Sequence, residues 1–322
     1  MSEHFLYAKL LDGKGGCTDL TQEQVLAFKE GDGILWVHFD YTNQDHRHNL
    51  LDNFKLPGLV NEALLASEVR PRTSVVYHGL LMSLRGVNLS PNTNPEDMIS
   101  IRMWVEQHRI ISTRRLRILS VEDIIDQLNS GVGPKSSSQW VAMLADQLVW
   151  RMSDTINDLE ESMSDLEGVC LAEHKQVLRT DLAVIRKQLI SLKRYLSPQK
   201  DALLRLSSES ISWFDEHLKI QIREVTDRLL IYLENIDEIK ERAVVVQEEL
   251  QNSLSDQMNT RMYVLSMISA IFLPLGFLTG LLGINVGGLP GVENSAAFTI
   301  FSLGLGLLTL CQILFFKFKK WL

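Results

Sequence analysis

The sequence predicts an α/β soluble domain, a long helical stalk and a two-span membrane hairpin, in that order. Three observations carry this. Residues 263–282 and 296–316 are apolar and long enough to cross a hydrocarbon core of about 30 Å, and between positions 263 and 316 the only formal charge is Glu293. Between Ile211 and Leu275 there is no glycine, and the only proline is Pro274. One helix of about 100 Å, at 1.5 Å per residue, can therefore run from the soluble part into the membrane. Before that run, β-rich segments alternate with short helical patterns.

Taken in order, residues 33–39 read as a strand, as do 74–88, then 98–105 after a polar turn at 90–95, and 109–113. Helical patterns fall at 21–29, where Thr21 and Gln24 form a capping box, at 45–54 and at 59–67. The result is an α+β or α/β/α domain over residues 1–129. A Gly/Pro/Ser stretch at 130–138 closes it. Residues 139–167 and 172–196 carry helical periodicity, broken by Gly168 and by Ser197-Pro198, which predicts a helical hairpin within 139–207. Its first arm is acidic, with Asp154, Asp158, Glu160, Glu161, Asp165 and Glu167. That arm is either a solvated face or a cation-attracting one. The stalk occupies 208–262, the first span 263–282, a loop 283–295, the second span 296–316 and a basic tail 317–322.

No apolar segment near Met1 reads as a signal peptide. Arg261 precedes the first span and Lys317, Lys319 and Lys320 follow the second, whereas the loop has no Lys or Arg. The positive-inside bias then puts both termini in the cytoplasm and the loop outside, with Trp321 as an interfacial anchor. Two spans enclose no pore, so conduction would need a ring of several copies. The net charge of −8 argues against nucleic-acid binding and suits a cation-handling surface. Cys17, Cys170 and Cys311 are scattered and lack zinc-site spacing, so they read as free thiols. His46 and His48 are the nearest approach to a ligand pair. No P-loop, nucleophile elbow or dinucleotide-binding glycine pattern is present, and an enzymatic reading has nothing to rest on.

The long helix has two faces. Stepping back from Gly283 in threes and fours gives Gly280, Gly276, Leu273, Ser269, Ser266, Met262 and Asn259, a small or polar stripe with two bulky members. Small residues at this spacing also let membrane helices pack closely without any pore. Outside the membrane the same frame gives Ser255, Asn252, Glu248, Val245, Glu241, Glu238, Glu234 and Ile231, so the stripe turns acidic. Ile222, Val225, Leu229, Ile236, Ile239, Ala243, Val246, Leu250 and Leu254 make an apolar stripe on another face. In a ring of such helices, glutamates on the inner wall would concentrate cations below a polar-lined pore.

Asn259-Thr260-Arg261-Met262, Ile271-Phe272-Leu273-Pro274-Leu275, Phe277, Gly280 and Gly283-Ile284-Asn285 together resemble the first membrane helix and signature loop of the CorA superfamily of divalent-cation transporters. The resemblance extends over the architecture of the whole chain. It implies a funnel-shaped homopentamer with an N-terminal α/β/α domain, an acidic helical hairpin, a stalk helix continuing as the pore-lining span, and an outer span. The magnesium branch carries Gly-Met-Asn, and here Ile284 replaces the methionine. Gly287 and Gly291 stand where that branch tends to place acids, Gly276 where threonine is common and Leu282 where tyrosine is common. The glycine-rich run 286–291, with Arg85-Gly86-Val87-Asn88 and Pro95-Glu96-Asp97-Met98, is more similar to the ZntB branch, associated with zinc.

That resemblance implies an inner-membrane, multi-pass transporter whose partners are divalent cations, protons, the lipid bilayer and further copies of itself. It implies no resident cofactor. The expected cargo is zinc taken up with a proton gradient, with magnesium and other divalent cations as further candidates. Gly283, Ile284 and Asn285 would form the outer mouth, where the Asn285 carbonyl accepts hydrogen bonds from an ion's water shell. The stripe has no Cys, His or carboxylate within the membrane, as tight zinc ligation would require. Passage of a hydrated ion between Leu273 and Met262 constrictions fits better. A magnesium or cobalt channel is the alternative in the same class; a membrane-anchored metal sensor or scaffold is the alternative outside it.

Overall fold

The computed structural model describes residues 4–91, 93–170, 175–284 and 294–319. The chain divides into two units, Met1–Gln247 and Glu248–Leu322.

The first unit is built on a seven-stranded sheet. Its strands are β1 (Tyr7–Leu11), β2 (Cys17–Asp19), β3 (Ile34–Asp40), β4 (Arg72–Val76), β5 (Gly79–Gly86), β6 (Ile99–Val105) and β7 (Arg109–Arg114), in spatial order β2-β1-β3-β7-β6-β5-β4. Only β3 and β7 pair in parallel. A parallel pair at the centre is covered on both faces, and every side chain of β3 from Ile34 to Phe39 is buried. On one face Val37 and Phe39 join Leu50, Phe54, Leu64, Trp104 and Ile111, beneath α1 (Gln22–Ala27), α2 (Gln44–Asn53) and α3 (Gly58–Leu65). On the other, Trp36 meets Trp140 edge-on at 5.1 Å. Trp140 belongs to α5 (Ser137–Trp150), which follows α4 (Leu119–Asn129). The soluble domain is therefore a three-layer α/β/α sandwich.

A histidine survives inside β3 because its neighbours supply a partner. The Ser112 hydroxyl accepts from Trp36 Nε1 at 2.9 Å and pairs with His38 Nδ1 at 2.7 Å. Burial, reinforced by Arg114 and His46, holds the His38 pKa well below its ordinary value.

The Thr21–Gln24 capping box is formed, with both reciprocal bonds present. Strands β1 and β2 were not anticipated by the pattern reading. The expected single strand at 74–88 is instead a hairpin, β4 and β5, turning at Tyr77 and His78. Tyr77 adopts φ 54°, a left-handed conformation that hairpin loops usually assign to Asn or Gly, so the turn carries no ordinary sequence signal. Gly79 opens β5 because Trp104 lies over it: a Cβ there would come within 2.3 Å of the indole.

The predicted helix at 139–167 is divided at Arg151 into α5 and α6 (Met152–Cys170), where the Arg151 guanidinium forks onto Asp123 at 2.6–2.9 Å. Gly168 does not stop α6, since one helical glycine costs only about 1 kcal/mol. Nor does Pro198 end the next helix: α7 runs Lys175–Ser208 with Pro198 inside it. An interior proline costs about 3 kcal/mol. Leu189, Leu192, Leu196, Leu203 and Leu206 are all buried along α7, and each contributes roughly 1.5–3 kcal/mol, so packing outweighs the local penalty. Gln199, one residue beyond the proline, is buried and accepts the Arg85 backbone N–H at 2.7 Å.

The predicted continuous stalk and first span are one helix, α8 (Glu216–Leu282), of 67 residues. The last helix is α9 (Ala297–Phe318). Both are long and apolar enough to cross a membrane.

Candidate functional site: the faces of the long helix

Helix α8 separates its two stripes as amphipathic periodicity demands. Ile222, Val225, Leu229, Ile236, Ile239, Ala243, Val246 and Leu250 are buried, whereas Leu254 is half-buried. Glu234, Glu238, Glu241 and Glu248 are exposed, as are Ile231 and Val245 between them.

Basic residues of α7 and α8 tie the first unit together. Arg228 bonds Asp146 of α5 at 2.8 Å, Lys193 of α7 pairs with Asp237, and Arg186 of α7 donates to Gln247. Arg242 forks onto Glu167 of α6 at 2.6 and 2.8 Å, and this guanidinium holds the Glu167 carboxyl below its ordinary pKa. These tethers were absent from the sequence reading; the signal for two of them was Arg228 and Arg242, basic residues lying between the acidic and apolar stripes of α8. Glu167 is thus a structural partner, while Asp154, Asp158, Glu160, Glu161 and Asp165 of the same arm are exposed.

Within the membrane segment the small and polar stripe, from Asn259 through Met262, Ser266, Ser269, Leu273 and Gly276 to Gly280, is exposed along its whole length. Neighbouring faces are exposed as well, with Phe272 and Phe277 both at 66%. Local chemistry says more. Ser269 Oγ donates to Leu265 O at 2.9 Å, and Thr279 Oγ1 bonds Leu275 O and Gly276 O at 2.9 and 3.1 Å. A hydroxyl that donates to its own helix keeps lone pairs free as acceptors. Such groups suit the water shell of a cation. Thr279 lies off the predicted stripe.

Gly276 and Gly280 have nothing within 4 Å of where a Cβ would stand. Gly283 ends α8, its N–H bonding Thr279 O at 2.9 Å, and Ile284 follows it as an exposed residue. Asn285 and Glu293, like Gly287 and Gly291, lie outside the described residues, as do Lys320 and Trp321.

The two histidines considered as a pair are divided by the fold. His46 is buried and its Nδ1 accepts the Asp40 backbone N–H at 3.2 Å, whereas His48 is exposed. Among the described residues no group of three or more His, Cys, Asp or Glu is arranged to hold a metal ion. Cys17 and Cys311 are free thiols.

The family model described as CorA-like Mg2+ transporter protein matches residues 31–320. The chain belongs to the CorA-like family. One family relative, the zinc transport protein ZntB of Yersinia enterocolitica, is 36% identical over 317 residues, covering 98% of this chain and 96% of that one. Among solved structures, the full-length CmaX protein superposes with a TM-score of 0.85 at 33% identity, covering 100% of this chain and 99% of that one. The CorA magnesium transporter of Methanocaldococcus jannaschii gives a TM-score of 0.84 at 14% identity, covering 98% of this chain and 99% of that one, a likeness of fold. This CorA-like chain thus carries the family's whole architecture, including the long helix and the two apolar spans.

Proposed function

We propose that this protein is a transporter of divalent cations whose principal cargo is zinc, taken up with a proton gradient through a ring of five copies. The observation that carries the reading is the two-faced α8. One stripe is buried against protein through Leu250, the acidic stripe opposite it is left exposed, and the same frame continues as the small and polar stripe of the membrane segment. Arranged around an axis, that second stripe would set Glu234, Glu238, Glu241 and Glu248 below a narrow passage. Zinc is the cargo named for the bacterial relatives that match nearly the full length.

In this reading both spans lie in the cell's inner membrane, both termini are cytoplasmic, and residues 283–295 face outward. Asn285, flanked by Gly283 and Ile284, receives the ion with its hydration shell. Serine hydroxyls along the stripe offer acceptors to those waters. Leu273 and Met262 narrow the route with apolar side chains, so selectivity comes from width and field rather than from ligation. Proton coupling rests on likeness to the ZntB branch.

The test is uptake into liposomes carrying the purified protein, zinc against magnesium, with and without an inward proton gradient. Gradient-stimulated zinc uptake is the expected result. Magnesium-led uptake indifferent to the gradient would replace this reading with a magnesium channel, and no uptake of either would point to a sensor or scaffold.

A further inference from the structure

The α/β/α domain buries a cation for which the described residues supply no counter-charge. Arg102 of β6 is 1% exposed. Its Nη2 donates to Ser67 O at 3.2 Å and to the Tyr41 hydroxyl at 3.5 Å, and its guanidinium lies 4.5 Å from the centre of the Tyr41 ring. Nε and Nη1 have no partner among the described residues, and no carboxylate there is within ion-pair distance. The neighbouring Arg85 is bonded to carbonyls, at Met98 O and Val69 O, with Glu68 the acid facing it. A buried guanidinium held by a carbonyl and a ring face is an expensive arrangement, and such orphaned groups call for an explanation.

Tyr41 and Ser67, the residues that Arg102 touches, also line a cavity of about 440 Å³, with Thr42, Arg47 and His48 among the other walls. No carboxylate lines it. The acids next in sequence to lining residues are Asp40, Asp45 and Glu68; Asp40 is occupied by the Thr42 N–H and hydroxyl at 2.9 and 2.6 Å. Asn43 already caps the N–H groups of Asp45 and His46, so α2 contributes field rather than free donors. Arg47 makes no ion pair among the described residues. The cavity opens where β3 ends, beside its parallel partner β7, with Tyr41 N bonded to Arg114 O at 3.2 Å. That is the edge of a parallel pair where α/β sheets hold ligands.

We propose that this cavity binds a phosphate-bearing anion. Arg47 and His48 grip the phosphoryl oxygens from the rim, and Arg102 supplies positive potential from behind the Tyr41 ring. The volume exceeds that of a bare phosphate, and the Tyr41 ring and Leu65 offer apolar surface to an attached organic body. The site does not depend on the transport reading.

Calorimetric titration of the full-length protein in detergent tests it, with inorganic phosphate and adenosine monophosphate as probes and chloride at matched ionic strength as the control. Saturable binding of a phosphate-bearing probe is expected, weakened about tenfold in Arg47→Gln by loss of a charge-assisted pair. Tighter binding of the nucleotide than of phosphate would place an organic body in the cavity; equal binding would identify phosphate itself as the ligand. Arg102→Met should abolish binding, but it is buried and can disturb folding, so the exposed Arg47→Gln decides. Failure of both probes to bind above the chloride control, or unchanged affinity in Arg47→Gln, would overturn the proposal.

Discussion

Arg242 of α8 grips Glu167 of α6 with two bonds, of 2.6 and 2.8 Å, and its Nη2 also donates to Ser164 Oγ at 3.0 Å. The pair sits where the exposed acidic stripe and the buried apolar stripe of α8 meet, so it orients the helix as well as attaching it. Both side chains are partly solvated, which limits the pair to about 0.5–1 kcal/mol despite its forked geometry. Arg242→Ala should lower the thermal midpoint of the purified protein by about one degree. Arg242→Lys, which cannot reproduce the fork, should recover only part of the loss. Because Glu167 has a depressed pKa in the fold, this contribution is present above the ordinary glutamate range and disappears as pH falls through the lowered value. Equal midpoints for wild type and Arg242→Ala at neutral pH would show that the pair does not stabilise the packing.

His38 makes a second pH-dependent prediction, of opposite origin. Its pKa is depressed by burial, so the folded protein keeps the ring neutral while the unfolded chain, near pKa 6.5, takes up a proton. Above pH 6.5 both states are neutral there and the group has no effect. As pH drops below 6.5 the unfolded state binds more protons, and stability falls by up to about 1.4 kcal/mol per pH unit until the folded-state pKa is reached. Trp36 and Trp140 lie beside the site and report unfolding by fluorescence. Unfolding profiles between pH 5 and 7 should steepen in wild type and flatten in His38→Gln, in which the amide retains a bond to Ser112 without titrating. Parallel profiles in the two proteins would assign the acid sensitivity elsewhere.

What the sequence made legible was periodicity. The apolar stripe from Ile222 to Leu250 could be read because burial repeats along an unbroken helix, and the glycine-free run announced that the helix would not stop. The Thr21 cap was legible because its chemistry is local. The turn at Tyr77 was hidden because a tyrosine stands in a conformation usually reserved for glycine or asparagine. The break at Arg151 was hidden because no glycine or proline marks it, and the Asp123 that Arg151 binds lies 28 residues away. Continuity through Pro198 was hidden because a row of buried leucines outweighs the proline only after α7 has packed. Arg102 lies within the strand read at 98–105 without drawing notice, and only the assembled sheet reveals that the described residues give it no counter-charge.

The mouth assignment yields a third prediction. If the Asn285 carbonyl accepts from the hydration shell of an arriving ion, each copy contributes about one hydrogen bond, on the order of 1 kcal/mol. Asn285→Ala should then raise the zinc concentration for half-maximal uptake by at least about fivefold. Assembly, read by native mass spectrometry, should be unaltered. Normal uptake kinetics by a correctly assembled variant would remove Asn285 from the route.

Gly280 supplies the last prediction, because it separates fold from assembly. Nothing lies within 4 Å of the position its Cβ would take, so within one chain a larger side chain meets no obstacle, and leaving glycine even favours the helix by up to about 1 kcal/mol. A single chain therefore gives no reason for glycine at this position. In the proposed ring of copies this position would face the passage or an adjoining helix, and either would favour a small residue. Gly280→Leu should insert normally and retain the helical circular dichroism of the parent. Zinc flux should nevertheless fall at least about tenfold. Retained oligomer size with lost flux would put Gly280 on the passage, while a shift to smaller species would put it at a helix contact. Full flux from an intact assembly would show that the stripe neither lines a passage nor packs a neighbour.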